Sequence, residues 1–193
     1  RRREARARGR LRGLGISNTI ERAAAPGIEA AEVRFDKSGS ATILAGSNTQ
    51  GQGHETIYKQ LVCDRLGLRP DEVQYVWGDT DKVAFGYGTG GSRSATLGGS
   101  AVFLATEKIV EKAKRIAAHL LEAADSDLAF DEGVFRIAGT DRKLTMKEVA
   151  RAAGEPSRIP DGVEPGLIAQ AVYTAKTMTW PNGCHVCEVE IDE

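Results

Sequence analysis

Cysteine is scarce in this sequence, with Cys63, Cys184 and Cys187 the only three. So small and odd a number cannot build a disulfide framework, and free thiols suit a reducing cytoplasm. No run of 18 or more apolar residues occurs, which excludes a membrane-spanning helix. An excess charge of one sign is missing too. The 26 basic and 27 acidic side chains leave a net −1, and nothing global points to nucleic acid or to an anionic membrane surface. Position 1 holds Arg1 rather than methionine, so the chain reads as beginning inside something longer.

Several enzyme signatures are absent as well. There is no Gly-x-x-x-x-Gly-Lys-Ser/Thr phosphate loop and no Gly-x-Ser-x-Gly nucleophile elbow, and the serines between residues 88 and 96 have no base evident in the sequence. Cys184-His185-Val186-Cys187 is a lone CxxC without a second pair at zinc spacing, and it does not open a helix. It therefore reads as alternating core residues of a strand rather than a metal or redox site. His119 reads as surface or core filler on a helix. Residues 86–91 satisfy GxGxxG, but a dinucleotide fingerprint needs a strand directly before it and an acidic residue at the end of a second strand. Here the preceding strand ends near Trp77, and Glu107 and Glu111 fall within a helical pattern.

What is present is a core and clustered glycine. With 41% hydrophobic residues over 193 positions, a chain of this length buries about 70% of its unfolded surface. Glycine accounts for 22 residues, above the ~7% of an ordinary protein, and much of it falls in two loops. Seven of the first twelve residues are arginine. They suggest the end of an upstream helix or a linker over residues 1–13 rather than a basic arm, because no aromatic side chain interleaves them.

Periodicity predicts strands at 14–20, entering the core, and at 32–35. The latter forms a hairpin with 41–44 across the Asp36-Lys37-Ser38-Gly39 turn. Ile57, Tyr58, Leu61, Val62 and Leu66 repeat at helical spacing up to Gly67. A strand follows at 73–77, then a long amphipathic helix over 92–124 with Ala101, Leu104, Ile109, Ala113, Ile116, Leu120 and Leu121 inward. A second hairpin joins 128–130 to 134–137. Thr145 and Glu148 form a capping box for a short helix, residues 154–166 read as linker or surface loop, and two strands close the chain at 167–177 and 184–191. Hairpins mixed with helices predict an α+β fold with a mixed sheet and packed helices, rather than an ordered βαβ series.

Both glycine-rich loops share one design, in which a strand runs into small polar residues that open a helix. The first, 46–54, is Gly-Ser-Asn-Thr-Gln-Gly-Gln-Gly-His; the second spans 78–91. Small residues let main chain approach a bound group, and the first helical amides have no internal partner and carry the positive end of the dipole. Two such loops suit an anion long enough to touch both. Gln52 can donate and accept hydrogen bonds and so hold a polar oxygen without charge. His54, where loop becomes helix, is either a capping residue or a ligand contact.

At these loops the sequence resembles the molybdopterin-binding large subunit of the molybdenum hydroxylases, the family of xanthine dehydrogenase, aldehyde oxidase and aerobic carbon monoxide dehydrogenase. Residues 46–56 look like that family's Gly-Gln-Gly loop. Gly78-Asp79-Thr80-Asp81, with Gly88-Thr89-Gly90-Gly91-Ser92-Arg93-Ser94, looks like its Gly-Asp-Thr and Gly-Ser-Arg-Ser loop. The lead-in at 10–15 and the closing stretches 181–185 and 189–192 fit as well. The resemblance implies one lobe of the molybdopterin-binding domain over residues 14–193, truncated at both ends. It places Gly51, Gln52, Gly53 and His54 near the pterin and the metal's oxygen ligand. Gly91, Ser92, Arg93, Ser94 and Thr96 are placed at the pterin and at a phosphate end that often carries a cytosine dinucleotide. It further implies molybdenum held by the pterin dithiolene, so that no protein metal ligand is expected, and hydroxylation of a carbon centre with water-derived oxygen.

The partners implied are the remainder of the large subunit and iron–sulfur and FAD subunits or domains, with no nucleic acid and no membrane span. Thr49 departs from the acidic residue common in the family. The family's base glutamate lies in a downstream segment, so the isolated chain is expected to have no turnover. Apolar surface left uncovered would let it pair as a homodimer. The alternatives are a non-enzymatic phosphate- or nucleotide-binding module using the same loops, and a scaffold domain whose glycines merely turn the chain.

Overall fold

A computed structural model describes residues 1–24 and 27–192; Ala25, Pro26 and Glu193, the last residue of the expected 14–193 lobe, lie outside it. The elements run α1 (Arg2–Ala7), β1 (Arg10–Ile20), β2 (Gly27–Phe35), β3 (Ala41–Ala45), α2 (His54–Leu66), β4 (Val73–Val76), α3 (Gly99–Leu120), β5 (Leu128–Asp131), β6 (Val134–Ile137), β7 (Lys143–Thr145), α4 (Met146–Ala153), β8 (Ile168–Ala175) and β9 (Asn182–Asp192). A π-helical turn, Ser94–Gly98, leads into α3. The architecture is α+β, as expected.

The central sheet has the order β4-β3-β2-β8. The β2–β3 hairpin closes where predicted, with Asp36 Oδ1 accepting from the Ser38 amide at 2.8 Å and Gly39 at φ +87°. From β3, however, the chain crosses through α2 into β4, which pairs with β3 in parallel. One βαβ unit is thus embedded among antiparallel pairings, giving the expected mixed sheet rather than an ordered βαβ series. Its consequence is geometric: the ends of β3 and β4, and therefore both glycine-rich loops, leave the same edge of the sheet. Ligands of parallel α/β units gather at such a carboxyl edge.

Helix α3 packs on β2 and β8, α2 packs on β4, and the two helices touch each other. Ile43, Val33, Tyr58, Val62, Leu66, Ile109 and Ile116 form the centre of one continuous core, which also takes in Phe135 and Met146 from the β5-β6-β7 sheet and α4. The inward stripe of α3 runs through Val102, Ala105, Ile109, Ala113 and Ile116, whereas Leu104 stays 37% exposed. The helix is also shorter at both ends than residues 92–124.

Residues 10–20 depart most from the sequence reading. They form one eleven-residue strand, so the expected helical or linker stretch ends before Arg10. That strand does not enter the core. β1 pairs along its whole length with β9 in an antiparallel ribbon, from Arg10 opposite Asp192 to Ile20 opposite Asn182, and nearly all of it is exposed. Cys184 and Cys187 are correspondingly exposed rather than core residues. Three positions apart on a strand, their side chains point to opposite faces. His119 is exposed on α3.

Candidate functional site

The parallel β3–α2–β4 unit sets the two loops side by side, and side chains bind them together. Gly46 and Gly86 cross so closely that a Cβ added to either would lie 2.5 Å from the other's Cα. The Asn48 carbonyl accepts from Thr89 Oγ1 at 2.6 Å and from His54 Nδ1 at 3.0 Å. With its proton committed to Asn48, Thr89 accepts from Ser94 Oγ at 3.0 Å. From below, Tyr58 donates to the Ser94 carbonyl at 2.7 Å, and Tyr75 donates to the Ser47 carbonyl. Burial pushes both phenols up, which keeps them neutral donors.

Each expected residue can now be placed. Gly51 (φ +108°) and Gly53 (φ +79°) hold left-handed conformations that favour glycine, and a Cβ at either would meet nothing within 4 Å. The first loop therefore shows bare main chain to open space. Gly53 caps α2 without any side chain, and the first amides of a helix have no acceptor within it. Glu55 in that turn is paired with Lys59 at 2.7 Å. Gln52 is exposed and accepts from the Gln50 amide, folding back over its own loop. In the second loop Gly91 (φ +58°) also faces open space, and Ser92 holds φ +52°, a conformation uncommon for a residue with a side chain. Thr96 is half-buried in the π-helical turn.

Three residues face inward instead. His54 is buried and stacked on Tyr58 with Nδ1 committed to the Asn48 carbonyl; it is the first residue of α2 and its side chain does not cap the helix. Ser94 is buried with its hydroxyl on Thr89. Arg93 donates to the Ile28 carbonyl at 2.6 Å, its side chain only 20% exposed and stacked over Tyr87.

Sequence reasoning passed over Glu29, which is fully buried where the two loops meet. Its Oε2 is 3.4 Å from both the Arg93 guanidinium and the Tyr87 amide, and its Oε1 lies against the Gly46–Gly86 crossing. Burial raises its pKa, against the pull of the Ala30 amide and Arg93. The signal was available, since strand alternation puts position 29 on the buried face of Ala31, Val33 and Phe35.

No metal-holding cluster of His, Cys, Asp or Glu occurs among the described residues. Uncapped amides and bare glycines fit a flat, polyanionic group that brings its own metal ligands. Fold and site thus define a cofactor-cradling α+β domain. Residues 1–193 match the model of the molybdopterin cofactor-binding domain, and the chain belongs to that family. It is 41% identical over 166 residues, 85% of its length, to the carbon monoxide dehydrogenase large chain of Hydrogenophaga pseudoflava, of which it covers 20%. Among solved structures it superposes on reconstituted CO dehydrogenase from Oligotropha carboxidovorans with a TM-score of 0.88 at 38% identity, covering 98% of this chain and 25% of that one. Quinoline 2-oxidoreductase from Pseudomonas putida 86 gives 0.84 at 33% identity, covering 99% and 26%. The chain therefore spans about a fifth to a quarter of these relatives. Nothing in the matches supports a separate nucleotide-binding module.

Proposed function

We propose that residues 46–54 and 88–96 grip the two ends of a molybdopterin in its cytosine dinucleotide form. Gly51, Gln52 and Gly53 lie toward the pterin and the metal's oxygen ligand; Gly91, Ser92 and Thr96 lie toward the phosphates. His54, Arg93 and Ser94 act from behind, holding main chain in place. The observation that carries this is the placement of two bare-backbone loops at one sheet edge, joined through Asn48. Amides are the right donors, because they offer several weak positive ends to a polyanion without the desolvation cost of buried cations.

When bound, the molybdenum cofactor supplies oxidation of a carbon centre with water-derived oxygen. On this proposal the chain contributes binding and orientation, and the base glutamate implied by the family resemblance acts from outside these residues. The protein carrying the chain is then a cytoplasmic oxidoreductase of the molybdenum hydroxylase type, passing electrons to iron–sulfur and flavin partners.

Metal and pterin analysis of the intact protein tests this. Wild type should carry molybdenum and pterin in equal amounts. Gly53→Val and Gly91→Val should lose both together, since each puts a branched side chain on a left-handed residue facing the cradle. Full molybdenum content in both variants, or none in wild type, would overturn the proposal.

A further inference from the structure

We propose that Glu29 is a positioning residue: its carboxylate, held between the two loops, ties Arg93 and the Tyr87 amide of the second loop to the Gly46–Gly86 crossing and so sets the separation of the two cradles. This rests on the functional proposal above only for what the cradles hold. The tie itself is a property of the chain.

Three observations converge on it. First, an ionisable side chain occupies a position whose neighbours on the same strand face are Ala31, Val33 and Phe35, all buried. Burying a carboxylate there is unfavourable, and a well-packed apolar residue is often as stable or more so than a buried ion pair. Stability alone therefore does not account for Glu29. Second, apart from the neighbouring Ala30 amide, which donates to Oε1 at 3.3 Å, its contacts lead to the loops. Oε2 reaches Arg93 and the Tyr87 amide, each at 3.4 Å, and Oε1 lies 3.1 Å from where a Gly46 Cβ would be and 2.7 Å from a Gly86 Cβ. Third, the Arg93 side chain, which follows the exposed Gly91 and Ser92, is turned inward on Ile28 and Glu29. Arg93 Nε has no hydrogen-bond partner among the described residues. Glu29 and the Ile28 carbonyl, with the Tyr87 ring over which it stacks, are thus the groups that hold this guanidinium beneath the crest of the second loop.

The test separates loop placement from fold stability. Glu29→Met/Arg93→Met removes both charges, and Glu29→Gln is the milder single change. For the double variant of the intact protein, the thermal midpoint should be unchanged or higher. Amide hydrogen exchange of the cofactor-free protein should accelerate by roughly tenfold over residues 46–54 and 86–94, as expected for loss of a charge-assisted tie. Bound pterin should fall together with that protection. Glu29→Gln should shift exchange in the same direction by less.

Wild-type exchange in both variants would overturn the tie. Faster exchange with undiminished pterin content would overturn its setting of the cradle separation. Loss of thermal stability and loop protection in parallel would show that the pair merely supports the fold. Exchange is read without cofactor, so it judges the tie even if wild type carries no pterin, in which case the functional proposal alone fails.

Discussion

Gly46 and Gly86 show what one missing atom does at the residue scale. Two loops approach within main-chain contact only because neither residue has a Cβ, and Gly86→Ala would place one 2.5 Å from the Gly46 Cα. The obstruction is backbone, so relief requires the loops to part. A destabilisation of about 1–3 kcal/mol is expected, the usual cost of overpacking, visible as a lower urea midpoint at unchanged slope. Thr89→Val removes the hydroxyl joining Asn48 to Ser94 and should cost about 1 kcal/mol in the same measurement. Glycine enrichment in these loops was plain from the sequence, but which glycines touch was not. Gly46 and Gly86 are forty positions apart, and only tertiary pairing of β3 with β4 brings them together.

At the element scale, the capping box of α4 was readable from Thr145 and Glu148, because its hydrogen bonds span three residues. In the structure Thr145 Oγ1 accepts from the Glu148 amide at 3.3 Å, and Glu148 Oε2 accepts from the Thr145 amide at 2.7 Å. Thr145→Ala should cost about 1 kcal/mol. The Thr145 amide, then its hydroxyl, holds the Glu148 carboxyl below the usual carboxylate range. A depressed folded value stabilises above the unfolded pKa, ~4.3, and that contribution is lost as pH falls through the folded value. The difference in urea midpoint between wild type and Glu148→Gln, present at pH 7, should shrink as the pH is lowered below ~4.

The start of α3 was less legible. Helical periodicity extends back to residue 92, yet regular helix begins at Gly99, after the π-helical turn. A Cβ at Gly98 would overlap Tyr58 Oη, so this turn is shaped by packing from α2 rather than by local propensity.

Across the whole molecule, the body and the β1–β9 ribbon differ in kind. Ile109 and Ile116 are fully buried, whereas Leu14, Ile16, Ile20 and Val186 on the ribbon are all at least 60% exposed. Ile109→Ala should cost about 2–5 kcal/mol, while Ile16→Lys and Val186→Lys should leave the unfolding free energy within about 0.5 kcal/mol. A large loss from either lysine, measured by the same denaturation, would show that the ribbon bears on the body after all. The expectation that 14–20 enters the core fails because an apolar alternating pattern looks the same whether the face it makes is covered or not.

Legible in the amino-acid order were the α+β composition, the two hairpins, the capping box of α4, the end of α2 at Gly67, and the two glycine-rich stretches with the family they resemble. All of these depend on residues within a few positions of one another or on motifs of contiguous residues. Tertiary structure alone decided that β3 and β4 run parallel and bring the loops to one edge, and that His54, Arg93 and Ser94 turn inward. It also decided that a glutamate on an otherwise apolar strand face lies at the junction. Those outcomes rest on contacts between residues tens of positions apart, made only once the chain has packed.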